Sequence, residues 1–250
     1  MFEKLLKKLK LFLRDPKKQT DSIYGFRSFV SFKYLKGNGI EVGALHNPLN
    51  YDRTKATVRY VDRMSVQDLR AQYPELNDLP LVNVDIIDNG EKLFTIENDS
   101  QDFIIANHML EHCVNPISTI ENFMHKLKMG GVLYLAIPDK RFTFDKNRNL
   151  TDFQHLLNDY KNADSESQLH HFKEWVKYCG NNEDKDDDFI EKEALKTQEV
   201  NYSIHFHVWD DQSYLNFLVE TQKFLKNSFS ISFFAQNEDE IISVLKKIHQ

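Results

Sequence analysis

Phe103-Ile-Ile-Ala106 is an unbroken apolar run framed by Asp102 on one side and by Asn107 and His108 on the other. A run this short fits a strand covered on both faces, as in a parallel sheet flanked by helices. Ligands bind such sheets beyond the carboxyl ends of the strands, so Asn107 and His108 are expected to emerge where chemistry is done. The neighbouring sequence divides into similar units. An aromatic stretch, 22–36, is helix-like and is closed by the turn signal Gly37-Asn-Gly39. Ile40-Glu-Val-Gly43 reads as a first strand, and Ala56–Val61, ending at Asp62, as a second. Leu81–Val84, ending at Asp85, reads as a third strand, after a short helix Val66–Tyr73 stopped by Pro74. Beyond the fourth strand, Pro116 suits a first helical position, and Ile117, Ile120, Phe123, Met124 and Leu127 recur at helical spacing. Gly130-Gly131 is expected to end that helix and Val132–Ile137 to form a fifth strand, halted by Pro138.

Strands alternating with helices imply an α/β fold with a doubly wound, mostly parallel sheet. Phe229–Phe234 and Ile241–Leu245 add a terminal antiparallel hairpin, for seven strands in all. Residues 139–227 break the rhythm and are read as a helix-leaning insertion on the acceptor side of a single domain, 21–250. Within it the acidic run Glu183–Asp188 is expected to be a solvated loop, and Ser213–Phe224 a helix.

Charge and composition narrow the partners. The net charge of −6 argues against nucleic acid. Two cysteines form no disulfide framework, which makes a reducing cytoplasm the default. No apolar run approaches the roughly 18 residues of a membrane span. Residues 1–20 read as a basic amphipathic helix: residues 1–18 hold seven bases against Glu3 and Asp15. Such a helix either packs on the domain or gives peripheral contact with an anionic membrane surface, here the inner face.

Three acids mark the ends of successive expected strands: Glu41, Asp62 and Asp85. An acid past the second strand, about twenty residues beyond a glycine turn, suits ribose hydroxyls, and Asp62 stands nineteen residues after Gly43. Singly, each could equally be a cap or a turn residue. His108-Met-Leu-Glu111-His112 also matches the inverted zincin pattern, which would make the chain a zinc hydrolase. That motif needs a long helix, whereas Pro116 follows at once.

Taken together, these segments resemble the class I S-adenosylmethionine-dependent methyltransferases, in particular the type 11-like group. Ile40-Glu-Val-Gly-Ala44 is similar to the first family motif, Tyr60-Val-Asp62 to the second and Val84-Asp-Ile-Ile-Asp88 to the third. Asp102–His112 resembles the segment that ends in Leu-Glu-His, and Leu127-Lys-Met-Gly-Gly-Val-Leu133 the Leu-Lys-Pro-Gly-Gly turn. The resemblance implies a Rossmann-like fold and S-adenosyl-L-methionine as cofactor, held by Glu41, Gly43, Asp62, Asp85 and Asn107. The turn departs from the family at Gly43-Ala-Leu-His-Asn47, where two glycines are missing. A relative that no longer accepts cofactor and serves as an interaction module is the alternative.

Methyl transfer asks a protein mainly to position a nucleophile opposite the sulfur. His108, Asp139 and Arg141, past strands four and five, are the acceptor-side candidates for catalysis. His205-Phe-His207 would present two imidazoles on one face, but no carboxylate stands at ligand spacing, so no metal is assigned. His170, His171, Trp175, His207 and Trp209 are expected to line or support an acceptor pocket, since aromatic rings stack on sugar faces. Similar Leu-Glu-His and Pro-Asp-Lys-Arg segments are associated with surface polysaccharide synthesis. The resemblance therefore suggests a small-molecule or glycan acceptor.

Overall fold

Alternate residues of the central strands divide between two cores, one on each face of a single sheet. The computed structural model describes residues 21–161 and 165–249; the segment 1–20, expected to be a basic amphipathic helix, lies outside the described residues. The strands are β1 (Gly37–Val42), β2 (Ala56–Asp62), β3 (Ile86–Ile87), β4 (Gln101–Asn107), β5 (Leu127–Pro138), β6 (Phe229–Asn237) and β7 (Glu240–Lys247). Their spatial order is β3-β2-β1-β4-β5-β7-β6. The first five are parallel, and β7 runs antiparallel between β5 and β6. The expected doubly wound seven-stranded sheet with its terminal hairpin is thus present. The strand order reverses between β1 and β4, which opens a crevice at their carboxyl ends.

Ile40, Val42, Ile104, Ala106, Leu133 and Leu135 face one core, which α3 (Pro116–Lys126), the α-helix that follows α2 (Val66–Gln72), covers with Ile117, Ile120 and Phe123. Val58, Phe103, Ile105, Tyr134 and Ala136 face the other, covered by Val30 and Leu35 at and beyond α1 (Asp21–Tyr34). Gly39 is where β1 and β4 press closest: a Cβ there would lie 2.4 Å from the Phe103 ring and carbonyl.

Between β5 and β6 run α4 (Phe153–Lys161), α5 (Ser165–Tyr178), α6 (Asp187–Glu199) and α7 (Asp211–Phe224). Tyr214, Phe217 and Leu218 of α7 join the first sheet core, whereas Phe172, Trp175, Val176, Ile190, Ala194 and Ile204 form a separate core of their own. Among the described residues no helix is long and apolar enough to cross a membrane.

Three local expectations need correction. Leu81–Val84 is not a strand: Val82 N–H donates to Leu45 O at 2.8 Å, spending its hydrogen bond on the turn after β1. Helix α3 ends at Lys126 rather than at Gly130-Gly131, which lie inside β5 where its register with β4 shifts. The acidic run is exposed as expected, and Glu183–Asp186 stay outside any helix, but its last two residues begin one. Asp186 caps α6 by accepting from Phe189 N–H, and Asp187 and Asp188 occupy its first turn, where the helix dipole favours anions.

Candidate active site

Parallel register carries the ends of β1, β2 and β4 to one edge. Glu41 pairs with both Tyr60 and Ile105, so Gly43, Asp62 and Asn107 follow on adjacent strands. Gly43 has φ +68°, a conformation that favours glycine, and a Cβ added there would meet nothing within 4 Å. The backbone therefore borders open space. The glycine-poor turn is accommodated by Leu45, which takes φ +49°.

Asn107 has no hydrogen-bond partner for either its amide oxygen or its nitrogen, although both atoms are shielded from solvent. Orphaned polar atoms beside an open crevice fit a ligand that carries donors and acceptors. Asp62 is half-buried at the end of β2, and burial raises its pKa despite bonds donated by the Arg63 and Met64 amides.

Glu41 lies beneath rather than within this rim. It is 1% exposed, and its two oxygens accept from Leu49 N–H at 2.9 and 3.2 Å, fixing the loop that follows the turn. Burial lifts its pKa to about 7, opposed by the Leu49 bond and by Arg27.

Asp85 departs from its expected place. It precedes β3, is exposed, and accepts from Tyr60 N–H at 2.8 Å, so it is tied to the flank of β2 and stands outside the rim. Asp88 follows β3 instead, and its own N–H donates to Asp62 O. Burial would raise the Asp88 pKa, but bonds from Thr95, Asn89 and Phe94 win and lower it, shaping the loop 89–95.

His108 follows Asn107 with φ +48°, which turns the ring out at the end of β4. Its Nε2 lies 2.9 Å from Glu240 Oε2 and 2.9 Å from Arg27 Nη2. Arg27 is committed to the same carboxylate, with Nε donating to Oε1 at 2.7 Å and Nη2 to Oε2. The tautomer with its proton on Nε2 donates to Glu240 and leaves Nδ1 as the acceptor nitrogen, 3.7 Å from Glu111 Oε1, whereas the other tautomer accepts from Arg27 at Nε2. Burial would raise the Glu240 pKa, but Arg27 and His108 hold it well below the carboxylate range. Arg27 and Glu240 escape sequence reasoning because 213 residues separate them. The only local sign is a charge at a position that faces the core.

Asp139 and Arg141 close on each other. Asp139 is fully buried, caps the turn 140–142 by accepting from Arg141 N–H, and also accepts from the Arg141 guanidinium, which reaches Asp211 as well. The expected acceptor pocket is likewise filled by packing. His171, Trp175, His207 and Trp209 are at most 3% exposed. His205 and His207, expected on one face, diverge: His205 Nδ1 binds Asp145 Oδ2 at 2.7 Å, and His207 Nε2 binds Asp159 Oδ2 at 2.9 Å.

The zinc hydrolase triple does not assemble. Leu110–His112 is one 3-10 turn, His108 faces Glu240, and His112 Nδ1 donates to Ile204 O at 2.8 Å. Glu111, buried with neither carboxylate oxygen hydrogen-bonded, lies 3.7 Å from His108 Nδ1 and within 4.8 Å of ring nitrogens of His112 and His205. Burial raises its pKa.

A family model described as a methyltransferase domain matches residues 13–210. No curated protein matches the chain. Among solved structures the chain is similar to a SAM-dependent methyltransferase from Aquifex aeolicus, at 12% identity and TM-score 0.49, over 97% of this chain and 98% of that one. It is similar to one from Thermotoga maritima at 10% identity and TM-score 0.46, over 99% and 100%. It is also similar to the CurJ carbon methyltransferase at 13% identity and TM-score 0.44, over 97% of this chain, but it spans only 53% of that one. The family match runs through β1–β5, the strands whose ends form the crevice. The chain belongs to the methyltransferase-domain family and is an S-adenosylmethionine-dependent enzyme of that family.

Proposed function

We propose that the chain methylates a sugar or glycan, at a hydroxyl in preference to an amine, in surface polysaccharide synthesis. The observation that carries this reading is the His108–Glu240–Arg27 arrangement at the end of β4. When bound, S-adenosylmethionine supplies a methyl group already activated on sulfur. The turn at Gly43, the Asp62 carboxylate and the Asn107 amide are proposed to hold it, with Asp62 on the ribose hydroxyls. Glu41 supports the turn from below through Leu49.

A hydroxyl nucleophile must lose a proton as it attacks, whereas an amine need only be neutral. An imidazole oriented by a carboxylate suits the first case: Glu240 fixes the His108 ring and stabilises the imidazolium that forms. Asp139 and Arg141 are given a supporting part, bracing the loop beyond β5. The saccharide assignment is supported by the Leu-Glu-His and Pro-Asp-Lys-Arg segments.

His108→Ala should lower turnover by about 10²–10⁴-fold with S-adenosylhomocysteine affinity unchanged. The assay follows labelled methyl transfer to a panel of nucleotide sugars and oligosaccharides. Undiminished turnover removes the base assignment. Transfer to amines alone, with no saccharide accepted, removes the acceptor class.

A further inference from the structure

We infer that His155, Asp159, His171 and His207 bind one divalent transition-metal ion, of the zinc class, as a clamp within the insertion. His155 and Asp159 stand one turn apart on α4 and share a face. His171 comes from α5 and His207 from the extended segment before α7. One ligand-type atom from each lies within 4.8 Å of all the others. From Asp159 Oδ2, the Nε2 atoms of His207, His155 and His171 stand at 2.9, 3.3 and 3.5 Å. Ligands about 2.0–2.1 Å from a tetrahedral ion are separated from one another by roughly 3.3–3.4 Å. The three spacings from Asp159 are close to those of a coordination shell.

The outer partners point the same way. His207 Nδ1 lies 3.1 Å from Cys113 O, and His171 Nδ1 lies 3.0 Å from Phe206 O. A carbonyl can only accept, so both rings carry their proton on Nδ1 and turn an Nε2 lone pair inward. This is the second-shell arrangement that fixes metal-ligating histidines.

Without an ion the hydrogen bonds do not balance. A neutral His207 has one proton for two acceptors, the Cys113 carbonyl and the Asp159 carboxylate. His171 is 1% exposed, and its inward Nε2 forms no hydrogen bond. Protonating both rings would bury two cations beside one carboxylate, with ring centroids 5.0 Å apart. A metal ion would take the inward Nε2 lone pairs of His207 and His171 and leave each Nδ1 proton to its carbonyl.

Three imidazoles and a carboxylate suit zinc, and four protein ligands leave no position for substrate. The ion would therefore be structural. His155, with 35% of its side chain exposed, offers the route in. The clamp joins α4 and α5 to the segment 205–209, whose Trp209 bridges to Asp139 at the end of β5.

The test uses the full chain, purified without chelator and reconstituted with zinc, with metal counted by mass spectrometry. Asp159→Ala combined with His171→Ala should remove one equivalent of zinc per chain. His155→Ala, at a half-exposed position that tolerates change, should weaken zinc retention against a competing chelator about tenfold or more. Cobalt(II) in the unmodified protein should show visible d–d bands of tetrahedral intensity, and His155→Ala should diminish them. Failure of the unmodified chain to hold metal overturns the inference. So does a variant that keeps its full zinc content, because the ion would then lie elsewhere, at Glu111, His112 and His205 for example.

Discussion

Glu41 shows how one residue can couple stability to pH. Its burial leaves only the Leu49 amide to satisfy two oxygens, and its folded-state pKa of about 7 exceeds the ordinary value of 4.5. The folded chain then binds the extra proton between about pH 4.5 and pH 7. Stability is greatest below that window and declines as pH rises through it. Glu41→Gln should flatten this decline, gaining on the parent by something on the order of 3 kcal/mol at pH 8 relative to pH 4. Denaturant titrations at the two pH values decide the matter; parallel behaviour of the two proteins rejects it. Glu240 acts differently, since its charge is answered by Arg27. Glu240→Ala would leave a buried guanidinium without its carboxylate and should cost roughly 3–5 kcal/mol in chemical denaturation. A cost below about 1 kcal/mol would show that the pair contributes little.

Gly39 inside β1 and Gly43 just past its end are used by the fold in opposite ways. Gly39→Ala forces a methyl against the ring and carbonyl of Phe103, and a backbone carbonyl cannot move aside cheaply, so a loss of about 3 kcal/mol is expected. Gly43→Ala meets open space and bears only the left-handed strain, roughly 1–2 kcal/mol, yet its methyl enters the crevice. Calorimetry should find S-adenosylhomocysteine bound more than tenfold more weakly by Gly43→Ala. Unchanged affinity would move the cofactor away from this turn.

The same strands show what could be read in advance. β4, β1 and β2 are legible because a buried strand needs a continuous or alternating apolar run that stops at a polar residue. Two-residue β3 escaped because Leu81–Val84 has the better pattern, yet its backbone serves the turn at Leu45. Gly43, Asp62, Asn107 and His108 were legible as strand-end residues. Asp85 was misplaced with its strand. Arg27 and Glu240, like the histidines around Asp159, belong to distant segments, and no local period records which segments the fold will bring together.

Across the whole molecule, cofactor binding should appear as stabilisation. At a ligand concentration of about 100 times Kd, linkage gives about 2.7 kcal/mol. In a chain of this size each kcal/mol moves Tm by roughly 2–4 °C, so a rise of about 5–11 °C is expected with S-adenosylhomocysteine. Asp62→Ala should lose most of that rise at the same ligand concentration, because its affinity should fall more than tenfold. An equal rise in both proteins would free Asp62 from the ribose role.

Synthesis order gives the placing of β7 one more consequence. It follows β6 in the chain but lies between β6 and β5, and its first residue is Glu240. While a nascent polypeptide lacks that strand, the margin of β5 stays bare and His108 has no carboxylate to orient it. The proposed adenosyl cradle around Gly43 and Asp62 draws on earlier residues alone. During translation the capacity to hold a methyl donor would therefore come before the capacity to use it.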